Sequence, residues 1–159
     1  MSNTPDAVTR QWFKEVWDEG REESIDHLAH AEITIHGLSG PGSPPMQGTA
    51  PFKQVFRMFR EALGALEIKV ERTVTEGDTS AAYCLVKGRH VGISLGGPPT
   101  DRPVEFAGVA ICRVRDGVIV EAWNSFDFLT MYQQIGWIKN PPCPDGQLPG
   151  TSGKGDLST

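Results

Sequence analysis

Residues 104–136 read VEFAGVAICRVRDGVIVEAWNSFDFLTMYQQIG, and this stretch decides the fold. Two apolar runs rich in β-branched residues flank Asp116-Gly117, and an Asp-Gly pair between such runs predicts a β-hairpin. Apolar residues at helical spacing then predict a short helix that ends at Gly136. We therefore expect two long central strands of one sheet, with Asp127 at the end of the second strand.

N-terminal to the hairpin, the pattern is mainly helical. Apolar residues at helical spacing predict helices over residues 5–18 and 24–30, and alternation predicts a short strand over 32–36. Residues 37–48 contain four glycines and three prolines, so they form a loop, which is long enough to be a lid or the rim of a pocket.

The strongest apolar stripe of the chain predicts its main helix, which begins near Thr49 and ends at Gly64. Phe56 and Phe59 belong to this stripe. They are expected to pack on the sheet, and we count both as candidates for lining a substrate cavity.

Two further alternating runs, residues 67–76 and 80–90, predict strands that precede the hairpin. The predicted fold class is α+β: a cone-shaped half-barrel with a curved antiparallel sheet and three helices on the concave side. Such a sheet leaves a tapered apolar pocket at its open end. Residues 1–138 form the domain, and residues 139–159, rich in glycine and proline, are expected to be a disordered or draped tail.

Composition excludes several classes of function. A net charge of −5 with no basic run disfavours a nucleic-acid binder. No apolar run approaches the roughly 20 residues that span a bilayer, so we expect no membrane partner. The N-terminus lacks an apolar signal core, which predicts a cytoplasmic protein. Cys84 and Cys112 lie in strand patterns and are expected to be buried thiols, and His27 and His30 have no third ligand, so no metal site is predicted.

Alternation along the last strand leaves its orientation open. One face carries Trp123 and Asp127, and the other carries Asn124. If the first face is concave, Trp123 lines the pocket; if the second is concave, Asn124 is the polar pocket group. A β-bulge would switch faces midway along the strand. We favour the first arrangement and keep both residues as candidates for substrate binding.

Several motifs resemble those of the SnoaL-like polyketide cyclases, a family of the NTF2-like superfamily of cone-shaped α+β barrels. The resemblance covers roughly residues 8–138 and is carried by Glu76-Gly77-Asp78, Gly88-Arg89-His90-Val91-Gly92, the segment from Pro98 to Phe106, Arg113, and the segment from Asp116 to Gly136.

The resemblance implies an intramolecular aldol-type ring closure on a hydrophobic, polyketide-like carbonyl substrate, without metal or cofactor. It also implies that Asp127 is the catalytic acid/base. Arg113 stands where the cyclases carry an assisting histidine, and because arginine stays protonated it cannot act as a neutral base. It is a candidate for holding an enolate oxygen or for keeping Asp127 ionised; alternatively, it points outward and has no role.

Asp127 has a second interpretation, as the N-cap of the helix that follows it. Capping would lower its pKa, whereas burial among aromatic residues would raise the pKa toward neutrality, where a carboxylate exchanges protons well. His36 and His90 lie at strand ends and are candidates for a second proton-transfer group. Tyr83 is a candidate for donating a hydrogen bond to a ligand oxygen.

We therefore predict a cofactor-independent cyclase or isomerase. The alternative is a module that binds a hydrophobic ligand or dimerises without doing chemistry. A third possibility is a limonene-type epoxide hydrolase, for which Arg113 and Asp127 supply two of the three required groups. The partly apolar outer face of a half-barrel sheet predicts a homodimer or homotetramer.

Overall fold

The computed structural model describes residues 3–139 and confirms the predicted α+β class. Its elements, in chain order, are α1 (Pro5–Trp12), a π-helical segment (Phe13–Asp18), α2 (Glu23–Leu28), β1 (Ala29–His36), β2 (Met46–Gln47), α3 (Thr49–Ala62), β3 (Leu63–Glu76), β4 (Thr79–His90), β5 (Pro103–Arg115), β6 (Val118–Phe126) and α4 (Phe128–Gln134). The predicted hairpin is β5–β6. Apart from its first residue, Lys139, the predicted tail lies outside the described residues.

The six strands form one sheet in the order β2-β1-β6-β5-β4-β3. All neighbouring strands are antiparallel except β1 and β6, which are parallel. The sheet is therefore mixed rather than wholly antiparallel as predicted. The cause is the chain path: after β1 the chain crosses through α3 to the far edge at β3, and successive hairpins bring β6 back beside β1.

Element boundaries differ from the predicted ones where tertiary contacts override local signals. The strand predicted at 32–36 begins earlier, at Ala29, because its first residues pair with β6. Gly64 does not end a helix: α3 stops at Ala62 and β3 begins at Leu63 without a loop. The β3–β4 register shifts just after this junction, where Ala65 takes a positive φ of 49°.

The helices cover one face of the curved sheet and divide its core into two clusters. Helix α3 contributes Phe52 and Phe56, one turn apart, and both are buried. Burying a side chain of this size contributes about 1.5–3 kcal/mol. Trp17, Ile68 and Phe126 pack against both clusters. The boundary between the two clusters is where the fold leaves a cavity.

Candidate functional site

An open cavity lies between the helices and the concave face of the sheet. Nearly all of its lining side chains are aliphatic or aromatic, and they come from α1, the π-helical segment, α3, α4 and five of the six strands. Small-molecule sites usually combine such a lining with a few polar groups that fix the ligand's orientation. The cavity therefore suits a hydrophobic ligand.

Asn124 supplies the only side-chain amide of this lining, which contains no carboxylate. Its Nδ2 donates a hydrogen bond to the carbonyl oxygen of His36, 3.1 Å away. Gly37, with φ +84°, brings the chain so close that a Cβ there would lie 2.0 Å from the Asn124 carbonyl oxygen. The close contact between the end of β1 and β6 thus fixes the backbone that carries Asn124.

The preferred orientation of β6 was wrong, because Trp123 faces outward and Asn124 faces the cavity. The register of β5 and β6 shifts between Arg113 and Val114, which leaves Val120 as an extra residue in β6. Ile119 lies before this bulge and lines the cavity, whereas Asn124, with the opposite parity, lines it after the bulge. The bulge thus reverses the alternation that simple period-two counting assumes.

Asp127 lies at the end of β6 between Phe126 and Phe128, both of which line the cavity. Its side chain is exposed and caps α4: Oδ1 accepts from the backbone N–H of Thr130 at 3.0 Å, and Oδ2 accepts from the Thr130 hydroxyl at 2.6 Å. Both hydrogen bonds hold the pKa of Asp127 below its ordinary value of 3.8, and the bond from the Thr130 hydroxyl has the larger effect. Burial does not raise this pKa toward neutrality, so the carboxylate is ionised at pH 7.

Three of the predicted site residues meet on the opposite, convex face of the sheet. His36 Nε2 lies 2.9 Å from Oε1 of Glu121, and Arg113 pairs with the other carboxylate oxygen of Glu121. The ring of Trp123 stacks on that of His36 with a centroid distance of 5.2 Å. We call these four residues the outer cluster. The sheet separates the outer cluster from the cavity.

Comparison with known proteins identifies the family. The family model for SnoaL-like polyketide cyclases matches residues 7–135. The chain belongs to this family. It is 30% identical over 137 residues to the nogalonic acid methyl ester cyclase of Streptomyces nogalater, covering 80% of this chain and 92% of that protein. It is 28% identical to the aklanonic acid methyl ester cyclase DauD of Streptomyces sp. (strain C5), covering 94% and 90%.

Solved structures agree with this family. The crystal structure of IdmH, a putative polyketide cyclase from Streptomyces antibioticus, matches with a TM-score of 0.71 at 28% identity, covering 83% of this chain and 98% of IdmH. The resemblance inferred from the sequence motifs is therefore confirmed, as is the cone-shaped half-barrel.

The remaining candidates of this SnoaL-like chain are dispersed. His90 is fully buried; its Nδ1 accepts a hydrogen bond from the backbone N–H of Thr100, and its ring meets that of Trp137 edge-on. Tyr83 is 43% exposed, and its place in β4 puts it on the outer face. Phe56 belongs to the core, whereas Phe59 lines the cavity. Of the predicted residues, Phe59 and Asn124 line the cavity, and Asp127 lies between two lining residues in the chain.

Trp17, absent from the sequence-based candidates, also lines the cavity. It sits in the π-helical segment and contacts the rings of Phe52, Phe56 and Phe59 at centroid distances between 5.6 and 6.3 Å. Arg60 donates from Nη1 to the Trp17 carbonyl oxygen at 2.8 Å and so ties this segment to α3. Helical spacing alone does not reveal this position, because a π-helical turn shifts the face on which later residues lie.

Cys84 and Cys112 are free and buried, as predicted, and Cys112 lines the cavity. Burial raises the pKa of each thiol to about 12, so both stay protonated and unreactive at neutral pH. Within residues 3–139, no cluster of three or more His, Cys, Asp or Glu side chains is arranged to hold a metal ion. In the same part of the chain, no helix is both long and apolar enough to cross a membrane.

Proposed function

We propose that this protein is a cyclase that closes a ring in a hydrophobic, polyketide-like carbonyl compound by an intramolecular aldol-type reaction, with Asp127 as acid/base. The observation that supports this best is the position of Asp127 in the chain, between Phe126 and Phe128, both of which line a largely apolar cavity. A substrate that fills the cavity would present its remaining polar end to this carboxylate.

The proposed reaction balances within the substrate and one side chain. The Asp127 carboxylate takes a proton from a carbon next to a carbonyl group, and the resulting enolate carbon forms a bond to a second carbonyl carbon of the same molecule. The second carbonyl oxygen becomes an alkoxide and takes the proton back from Asp127. The carboxylate is regenerated, and this sequence requires no oxidant, reductant or cofactor.

The low pKa of Asp127 restricts the substrate. A carboxylate that is protonated only below its ordinary pKa of 3.8 is a weak base, so the proton it removes must be acidic. A carbon between two carbonyl groups, as in a β-keto ester, meets this requirement. A bound substrate that replaces water around the carboxylate would also raise its pKa and make it a stronger base.

Asn124 is the proposed partner of the developing enolate oxygen. An amide nitrogen carries two N–H donors, and the hydrogen bond to His36 uses one of them. The other donor is the proposed contact to the enolate oxygen, which it would stabilise where negative charge develops. His36, His90 and Arg113 have no part in this proposal, because they lie outside the cavity.

The decisive test compares Asp127→Asn with Asp127→Ala, using nogalonic acid methyl ester and aklanonic acid methyl ester as first substrates. Asparagine is as good an N-cap as aspartate, so Asp127→Asn should keep the fold, while loss of the base should lower the turnover number by about 100-fold to 10,000-fold. Asp127→Ala should lose the same activity and, in addition, about 1 kcal/mol of stability. An Asp127→Asn protein with wild-type turnover would refute the assignment.

A carrier or sequestering protein for a hydrophobic ligand is the second candidate function. It is favoured by the exposed, capping position of Asp127 and by the single amide in the lining. Binding of the same esters without any conversion, by the wild type and by Asp127→Asn alike, would favour this alternative. Epoxide hydrolase activity is disfavoured, because Arg113 and Asp127 do not lie together. Arg113 pairs with Glu121, which is six residues, or about 20 Å of extended strand, from Asp127.

We also propose that two copies associate through the convex face of the sheet, as a homodimer or as half of a homotetramer. Tyr83 and Ile111 leave apolar surface exposed there, 43% and 37% of each residue. Covering such surface favours self-association. The molar mass in solution, measured by light scattering, tests this.

A further inference from the structure

Gly108, in the middle of β5, is separated from the cavity only by the ring of Phe126. Its neighbours on the concave face, Phe106 and Ala110, both line the cavity, whereas Gly108 does not. Phe126 is its direct partner on β6. A Cβ built at Gly108 would lie 2.2 Å from Cδ1 and 2.3 Å from Cγ of that ring. The ring therefore occupies the space that any other residue would fill.

The position of the Phe126 ring matters because the ring forms part of the cavity wall. It stacks on Phe128 with a centroid distance of 6.3 Å, and Phe128 in turn stacks on Phe59 at 5.4 Å. Asp127 lies between Phe126 and Phe128 in the chain. With β5 behind the ring, a side chain at position 108 can displace it only toward the cavity.

We propose that Gly108 is a specificity-determining position: by letting the Phe126 ring lie flat against β5, it sets the largest ring system that the cavity admits beside Asp127. The proposal deepens the proposed function, on which it rests for its substrate. It makes a separate claim about binding, so it is tested without turnover.

The test measures binding of two flat ligands, 2-naphthol with two fused rings and 1,8-dihydroxyanthraquinone with three, by quenching of tryptophan fluorescence. Trp12 and Trp17 line the cavity and serve as reporters. Gly108→Ala should weaken binding of the three-ring ligand about tenfold, since the displaced ring takes up part of its space, and change binding of the two-ring ligand less than about twofold.

Three variants serve as controls. Val109→Ala, at the next residue of β5, faces away from the cavity and should leave both affinities unchanged. In a Phe126→Ala background, Gly108→Ala should have no further effect on the three-ring ligand, because the Cγ and Cδ1 atoms that it would displace are gone. If Gly108→Ala alone does not fold, Phe126→Trp narrows the same wall without altering β5 and should give the same selective loss.

The proposal is overturned if Gly108→Ala weakens both ligands equally, if its effect persists without the Phe126 ring, if Phe126→Trp shows no selectivity, or if the wild type binds neither ligand. Failure of the proposed chemistry would give a different result. The wild type would be inactive, or Asp127→Asn would be active, while binding would still depend on the size of the ligand.

Discussion

The two faces of the β5–β6 hairpin are made from alternating residues of the same strands, yet they have opposite chemistry. The concave face presents Ala110, Cys112 and Asn124 to the cavity. The convex face is formed by the residues that alternate with these along each strand, and it carries Arg113 and Glu121 as an ion pair. Polar groups are thus abundant where water reaches them and nearly absent where a ligand would bind.

This difference explains why residues that look catalytic in the sequence are not in the cavity. A charged group inside an apolar cavity loses its hydration, and the cost is several kcal/mol unless a partner compensates it. His36 and Arg113 both pair with Glu121 on the outer face, where the three side chains stay partly exposed. The cavity keeps one neutral amide, and the one carboxylate proposed for chemistry is exposed and caps α4.

The largest difference between the two faces is expected when the same positive charge is placed on each of them. Cys112→Arg puts an unpaired guanidinium against the helices and should lower the free energy of unfolding by about 3–5 kcal/mol. Ile111→Arg, one residue earlier on the convex face, should change the unfolding free energy of the monomer by less than about 0.5 kcal/mol. Urea denaturation followed by far-UV circular dichroism measures both.

Ile111→Arg also bears on self-association, because it places a charge at the proposed interface. A lower molar mass with an unchanged fold would support pairing through the convex face. Equal destabilisation by the two arginine substitutions would contradict the assignment of inner and outer faces.

At the N-terminus of α4, Thr130→Val should shift the pH dependence of activity. Valine removes the hydroxyl that donates to Asp127, so the depressed pKa of Asp127 should rise, and the acidic limb of the rate profile should move to higher pH. Because the wild-type pKa is lowered on folding, its contribution to stability is complete above about pH 4 and is lost as the pH falls through the folded pKa. Thr130→Val should reduce this contribution.

Thr130→Ser retains the hydroxyl and serves as the matched control for Thr130→Val, with its acidic limb at the wild-type position. If the acidic limb of the pH–rate profile stays at the wild-type pH in both variants, a group other than Asp127 governs the rate.

The smallest effect is expected in the outer cluster. Glu121→Gln removes the negative charge that pairs with Arg113 and His36, but the amide oxygen and nitrogen of glutamine can still form hydrogen bonds. For side chains that remain partly exposed, such pairs contribute about 0–1 kcal/mol, and salt screens them. Thermal unfolding at low and high ionic strength should show a small loss that shrinks with salt. A turnover number reduced by orders of magnitude would instead place the cluster in catalysis.

Local signals predicted most of the architecture. The Asp116-Gly117 turn and the apolar alternation around it identified β5 and β6, and the stripe on α3 identified its main helix, because these patterns act over a few residues. The parallel pairing of β1 and β6 was not predictable in this way, since it depends on the path of the intervening 80 or so residues.

The site was less predictable than the fold, for two physical reasons. One extra residue at Val120 reversed the face on which Asn124 and Trp123 lie, and a single-residue bulge leaves little trace in composition. The pKa of Asp127 depended on whether capping or burial dominated, and only the contact with Thr130 decided that in favour of capping. The chemistry of the family was recognisable from its motifs, but the direction of each side chain was not.

The direct junction of α3 with β3 has a mechanical consequence. No residue separates Ala62, the last of the helix, from Leu63, the first of the strand, so a displacement of α3 would be transmitted directly to the edge strand β3. Phe59 therefore lines the cavity from a helix that is anchored in the sheet. Leu38 lines the same cavity from the glycine-rich segment after β1, outside any helix or strand.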